Sequence, residues 1–201
     1  MTTAESTGAD NAIELPRAVK MMTGQGGLPM VRVETAASTA EIYLQGAHVT
    51  HFQKTGEAPL LFLSRESKFV EGTAIRGGIP IIFPWFGAKD GAPSHGFART
   101  RTWELVEAAA DSEGQVSLRF RLPHSADPAE AGWAVEYIVL IGAALTLELV
   151  VTNTSLRDEF SFEDCLHTYF SVGDINAIAI AGLKGVKYRD KVEGFKEKTE
   201  T

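Results

Sequence analysis

The chain has 201 residues, of which 44% are hydrophobic and 22% charged, with a formal charge of -7. It is long enough for one substantial domain with a real core, and its composition is that of an ordinary soluble globular protein. The acidic balance argues against a generally nucleic-acid-binding surface, the single Cys165 excludes an intramolecular disulfide, and no apolar run is long enough to span a bilayer.

Residues 1–11 are small and polar and read as a disordered lead-in. They lack the basic-then-apolar order of a signal peptide, so a cytoplasmic location is the default expectation. Residues 12–201 read as one domain of short apolar segments broken by turn residues. Met30–Glu34 is an expected strand, and Ala40–Leu44 leads through Gly46 into Val49–Phe52, two strands joined at a glycine kink. Pro59–Leu63 is another. Val116, Leu118, Phe120 and Leu122 alternate with polar residues in the half-buried strand pattern. Ala134–Ile141 and Leu145–Thr152 form a hairpin around Gly142, and Phe160–Phe170 and Ala177–Ile180 complete the series. The charged end, Val192–Thr201, carries no sign of a closing element. Helix is expected to be scarce, with one turn at Asp127–Ala131, and the class is an all-β antiparallel sandwich or barrel.

Charge is placed oddly in one stretch. Arg76, His95 and Arg99 sit in a Gly/Pro-shaped segment, Ile75–Glu104, that is otherwise apolar and aromatic. An unpaired buried guanidinium is costly, so an anion is expected to answer it. Two guanidiniums suit a dianionic phosphate, each binding through a planar fork. The bland alternative pairs each arginine with a carboxylate such as Glu71, Asp90 or Glu104. Arg101 reads as a solvated strand residue. His95 is open between contacting a sugar hydroxyl and capping local backbone.

His167 is the second candidate. On an extended strand it shares a face with Ser161, Glu163, Cys165 and Tyr169, opposite Phe160, Phe162, Leu166 and Phe170. An imidazole can serve as a general acid at neutral pH, although a lone histidine is more often structural. The five histidines and one cysteine form no known metal-ligand spacing, and no nucleotide-binding glycine motif is present. Cys165 reads as a small buried or semi-buried residue.

Three motifs, in this order, resemble the glucose-6-phosphate 1-epimerases, the hexose-6-phosphate mutarotases of the aldose 1-epimerase superfamily. They are Arg-Gly-Gly-Ile-Pro-Ile-Ile-Phe-Pro-Trp-Phe-Gly at 76–87, His-Gly-Phe-Ala-Arg at 95–99 with Trp103 and Glu104, and Leu-His-Thr-Tyr-Phe at 166–170. The Gly46-Ala47-His48-Val49 segment and the run from Gly173 to Gly185 fit as well. The resemblance implies a galactose-mutarotase-like β-supersandwich, no metal or organic cofactor, and interconversion of the α and β anomers of an aldohexose 6-phosphate. It further implies a small-molecule partner only, without nucleic acid or membrane, and a monomer is expected. By family position Arg76 and Arg99 hold the phosphate, His95 contacts the sugar, His167 is the catalytic histidine, and Asp174 orients the sugar or a loop. The family's catalytic base is a glutamate in a late strand after an Asn-Pro-Trp segment, and neither matches this sequence. The expectation is therefore a sandwich lacking C-terminal strands. The alternative to an active epimerase is a catalytically impaired fragment or a sugar-phosphate-binding module. Glu163 is no obvious replacement, because four residues of strand separate it from His167 by roughly 13 Å.

Overall fold

The computed structural model describes residues 13–125 and 132–201, so the lead-in and the expected turn at Asp127–Ala131 lie outside the described residues. It is almost entirely β, with only 3₁₀ turns among the described residues. The chain divides into two compact units, residues 1–171 and 172–201.

Two four-stranded antiparallel sheets build the first unit. One comprises β1 (Val19–Thr23), β2 (Pro29–Glu34), β3 (Ser38–Tyr43) and β4 (His48–Lys54), in that order. After the short β5 (Ile81–Ile82), the second sheet runs β6 (Glu104–Ala110), β7 (Val116–Arg121), β8 (Trp133–Ile141) and β9 (Leu145–Asn153), also in chain order. The alternation read in the sequence is the packing pattern. Val116, Leu118 and Phe120 of β7 and Trp133, Val135, Tyr137, Val139 and Ile141 of β8 are buried, and their neighbours are half-exposed or exposed. They share one core with Val31, Val33, Ala40, Ile42 and Val49 of the first sheet. Each such apolar side chain contributes roughly 1.5–3 kcal/mol on burial, which is what clamps two sheets face to face. A buried hydrogen bond from Ser38 Oγ to the Gly142 carbonyl (2.7 Å) ties β3 to the β8–β9 turn.

Three expectations differ from what is observed. Pro59–Leu63 is not a strand, because each residue bonds to a different neighbour. Leu60 donates to Phe52, Phe62 donates to Tyr169, and Leu63 bridges to Gly77. Within Phe160–Phe170 only Cys165–Leu166 (β10) is a strand, paired with β5, although its backbone bonds continue singly to Pro84, Pro80 and Gly78. Ala177 ends a 3₁₀ turn and Ile178 and Ile180 are exposed, outside any strand.

In the second unit, β11 (Lys187–Asp190) and β12 (Lys196–Thr199) form a hairpin across the charged end. Lys198 there bonds both Asp190 and Glu193, and Asp190 Oδ1 accepts the Val192 N–H (2.9 Å) inside the turn. Charge pairing rather than apolar alternation marks this hairpin, which is why the sequence pattern does not reveal it.

Candidate functional site

The segment carrying Arg76 is held from both sides. A small cluster of Leu28, Met30, Tyr43, Phe69 and Ile75 anchors the chain just before it. Gln45 pins the preceding loop through bonds to the Thr73 carbonyl (2.8 Å) and from the Gly72 N–H (2.8 Å). The Arg76 N–H donates to Ser67 Oγ (2.9 Å) and its carbonyl accepts from Ser64 (3.0 Å). Its backbone is thus fully engaged and its side chain is exposed.

Gly77 and Gly78 both have positive φ (98° and 62°) and leave no room for a side chain. A Cβ on Gly77 would lie 2.4 Å from the Phe62 carbonyl oxygen, and one on Gly78 would lie 2.4 Å from that of Val49. Only glycine meets both demands.

The chain then crosses β5 and returns through the loop 87–95. His95 takes positive φ (67°), donates its N–H to the Gly87 carbonyl (2.7 Å), and accepts the Gly87 N–H at Nδ1 (3.2 Å). That acceptance places the ring proton on Nε2. Of the two alternatives, the local capping role is the one observed. The ring lies 5.2 Å from that of His167, centroid to centroid, and Phe86 stands edge-on to both at 5.0 and 5.6 Å. Phe86 is 54% exposed, and its N–H is held by Glu163 Oε2 (2.8 Å).

Arg99 follows in a 3₁₀ turn, Ala98–Thr100. Its Nη2 donates to the Ser94 carbonyl (2.8 Å), while its Nε is buried without a partner. Burial lowers its pKa, the Arg76 charge lowers it further, and Tyr169 opposes the change. Among the described residues neither Arg76 nor Arg99 forms an ion pair, so the carboxylate partnerships with Glu71, Asp90 or Glu104 are not made. Arg101 is not simply solvated. Its guanidinium lies 3.7 Å from the centroid of the Phe97 ring.

His167 follows β10, with its N–H on the Pro80 carbonyl (3.0 Å). It is half-buried, and burial followed by the Arg99 charge pushes its pKa below the ordinary imidazole value. Both causes favour the neutral ring. Cys165 is half-buried, its thiol pKa raised by burial and by Asp164. Asp174 lies in the second unit, where its carboxylate accepts from Asn176 N–H (2.8 Å) and caps the turn Ile175–Ala177.

The structure therefore brings Arg99, His95 and His167 together, with Arg76 close enough to act on Arg99. Sequence reasoning gave no role to Phe86, Glu163 or His48. Phe86 lies within the first motif and His48 within Gly46-Ala47-His48-Val49, but an apolar ring and a strand histidine carry no distinguishing signal. Among the described residues no group of three or more His, Cys, Asp or Glu is arranged to hold a metal ion, and no helix is long and apolar enough to cross a membrane.

Two sheets packed face to face, with the irregular 75–103 and 160–171 segments adding side chains to the same core, define a galactose-mutarotase-like β-sandwich. A crystal structure described as "a putative mutarotase (YeaD) from Salmonella typhimurium" superposes with a TM-score of 0.83 at 33% identity, covering 94% of this chain and 63% of that one. A galactose mutarotase-like protein from Clostridium acetobutylicum, at 16% identity and a TM-score of 0.52 over 67% of this chain and 48% of that one, shares the fold. The family model for aldose 1-epimerase matches residues 29–201, and the chain belongs to that family. It is 37% identical over 176 residues to an Escherichia coli (strain K12) protein named "Putative glucose-6-phosphate 1-epimerase", covering 85% of this chain and 57% of that protein. A Salmonella typhimurium protein of the same name is 38% identical over the same shares. The chain thus spans 57% of the length of these curated relatives.

Proposed function

We propose that this chain binds an aldohexose 6-phosphate and carries the phosphate-holding groups and the acid of a glucose-6-phosphate 1-epimerase. The observation that carries the proposal is the pair Arg76 and Arg99. They are two cations that act on one another without a carboxylate between them, beside the His95–His167 ring contact. A phosphate dianion answers both charges at once. His95 is kept as the sugar-contacting histidine by resemblance, beside the His167 ring. Asp174 is kept on the substrate side by resemblance alone.

The chemistry is ring opening and reclosure. A base takes the proton of the anomeric hydroxyl, the bond from the anomeric carbon to the ring oxygen breaks, and an acid delivers a proton to that oxygen. Rotation about the bond between the first two carbons and reclosure on the other face gives the second anomer, with both protons returned. His167 is the acid in this scheme. Burial is the larger cause of its lowered pKa and the Arg99 charge the lesser, and a bound phosphate offsets the second of these. The phosphate held at a distance from the reacting carbon orients the sugar, which is how remote binding contributes to rate. Among the described residues none is assigned to the base. Glu163 is engaged with the Phe86 N–H instead.

Exchange NMR between the anomers of glucose 6-phosphate tests the reading. Acceleration over the buffer rate, abolished by His167→Ala, supports an epimerase. Binding without acceleration supports the sugar-phosphate-binding module. Neither binding nor acceleration overturns the proposal.

A further inference from the structure

His48 opens β4 and is completely buried, yet nothing in the chemistry above uses it. Its Nε2 lies 2.8 Å from the Gly77 carbonyl oxygen. A carbonyl oxygen only accepts, so Nε2 is the protonated nitrogen and Nδ1, buried and without a partner, is bare. An orphaned buried acceptor is costly, as is a buried ring whose pKa burial lowers to about 4. A core position that tolerates both costs beside an anion-binding loop calls for a reason.

The backbone geometry supplies one. Residues 77–79 run between two neighbours, Phe62–Ser64 on one side and β4 on the other. The bridge to Leu63 is made by the groups flanking Gly77, with Ser64 N–H donating to the Arg76 carbonyl and Gly78 N–H to the Phe62 carbonyl (3.0 and 2.8 Å). On the β4 side, Ile79 N–H donates to the Val49 carbonyl (2.9 Å). The Gly77 carbonyl has no place in either set of bonds, and His48 is its partner. A Cβ on Gly78 would lie 2.8 Å from Nε2, so the imidazole fits directly beneath the second glycine. The peptide unit between the glycines is thus gripped at its N–H by Phe62 and at its C=O by His48. Without the second grip, only the Gly78 N–H bond to Phe62 holds this peptide, and its flanking glycines have little steric preference of their own.

We propose that His48 is a positioning residue for phosphate recognition: its Nε2–H locks the Gly77–Gly78 peptide and so fixes where the adjoining Arg76 side chain leaves the loop. This rests on the reading of Arg76 as a phosphate ligand. The role needs a neutral donor of imidazole length, not a charge, and His48 never touches the sugar.

The test measures dissociation constants of glucose 6-phosphate and of glucose, by titration calorimetry or ligand NMR, for wild type, His48→Phe, His48→Gln and Arg76→Ala. His48→Phe keeps a planar aromatic ring, larger than imidazole, and removes the donor, and is expected to weaken glucose 6-phosphate about tenfold while leaving glucose within about twofold, the loss of one well-placed hydrogen bond. His48→Gln restores an N–H donor and is expected to recover most of that loss at a similar melting temperature. If Arg76→Ala weakens glucose 6-phosphate and His48→Phe does not, the positioning role is overturned and the phosphate reading stands. If Arg76→Ala has no effect, the phosphate reading itself fails. Equal weakening of both sugars by His48→Phe would mark a purely structural residue and also overturn the role. Should His48→Phe not fold, imidazole nitrogen NMR of wild type decides. A protonated Nε2 with a bare Nδ1 between pH 6 and 8 is required, and the opposite tautomer overturns the inference.

Discussion

The β6–β9 sheet and the site-bearing segments 75–103 and 160–171 use the same chemistry in opposite ways. Between β8 and β9 the register runs unbroken from Trp133 opposite Asn153 to Ile141 opposite Leu145. Backbone groups satisfy one another there, and the side chains are left only to pack. In the site region, apart from the two-residue β5–β10 pair, the pairings are single bridges, such as Val49–Ile79, Leu63–Gly77 and Phe83–Gly96. The backbone groups left over are met one at a time by side chains, among them Ser67 on Arg76, Glu163 on Phe86, His95 on Gly87 and His48 on Gly77. Buried backbone groups must be paired, so breaking the ladder obliges polar side chains to enter. A catalytic region can be built where they do.

The largest effects should come from attacking either region at its tightest point. Leu118→Ala in β7 removes a fully buried side chain from the core and should cost about 2–5 kcal/mol in denaturant unfolding. Gly96→Ala should match it for a different reason. Its Cβ would lie 1.9 Å from the Phe83 carbonyl oxygen at a φ of 68°, a clash with backbone that cannot yield, costing on the order of 3–5 kcal/mol. The control is Gly114→Ala, equally positive in φ but open on all sides, where about 1 kcal/mol is expected. Similar losses at the two glycines would erase the distinction between a site-region glycine and an ordinary turn.

Acid separates the regions next. Burial lowers the His48 pKa from its ordinary 6.5 to about 4, so between those values the unfolded chain binds a proton that the folded one refuses. Stability from this group is complete above pH 6.5 and is lost as pH falls towards 4, by roughly 3 kcal/mol in all. His48→Gln should therefore flatten the stability profile across pH 4–6.5 relative to wild type. An unchanged slope would show that the ring titrates normally. The smallest effect is expected at Tyr137 in β8, whose hydroxyl is buried without a partner. Tyr137→Phe removes an unsatisfied group and should be neutral or stabilising by about 1 kcal/mol in thermal unfolding, whereas a loss of 2 kcal/mol would mean that the hydroxyl is paired.

What the sequence makes legible follows the same division. The alternation of β7 and β8 can be read directly because a regular ladder puts every second residue in the core. Pro59–Leu63 and Phe160–Phe170 carry the apolar content of strands, but hydrogen-bond partners that change residue by residue leave no trace in hydrophobicity. Edge strand β6, Glu-Leu-Val-Glu-Ala-Ala-Ala, lacks alternation because a bulge shifts its register after Leu105. At the site, Arg76, His95, Arg99 and His167 can be found as charge and imidazole out of place in apolar motifs. Phe86 and His48 cannot, since their roles depend on which ring or carbonyl the fold sets beside them.

The arginines beside His95 and His167 are proposed to hold a phosphate. Comparing the dissociation constants of glucose 6-phosphate and glucose for the wild-type chain and for Arg99→Ala tests this most directly. At least tenfold tighter binding of the phosphorylated sugar is expected, with that preference largely lost in Arg99→Ala; equal affinity for the two sugars in the wild-type chain would rule out a phosphate clamp.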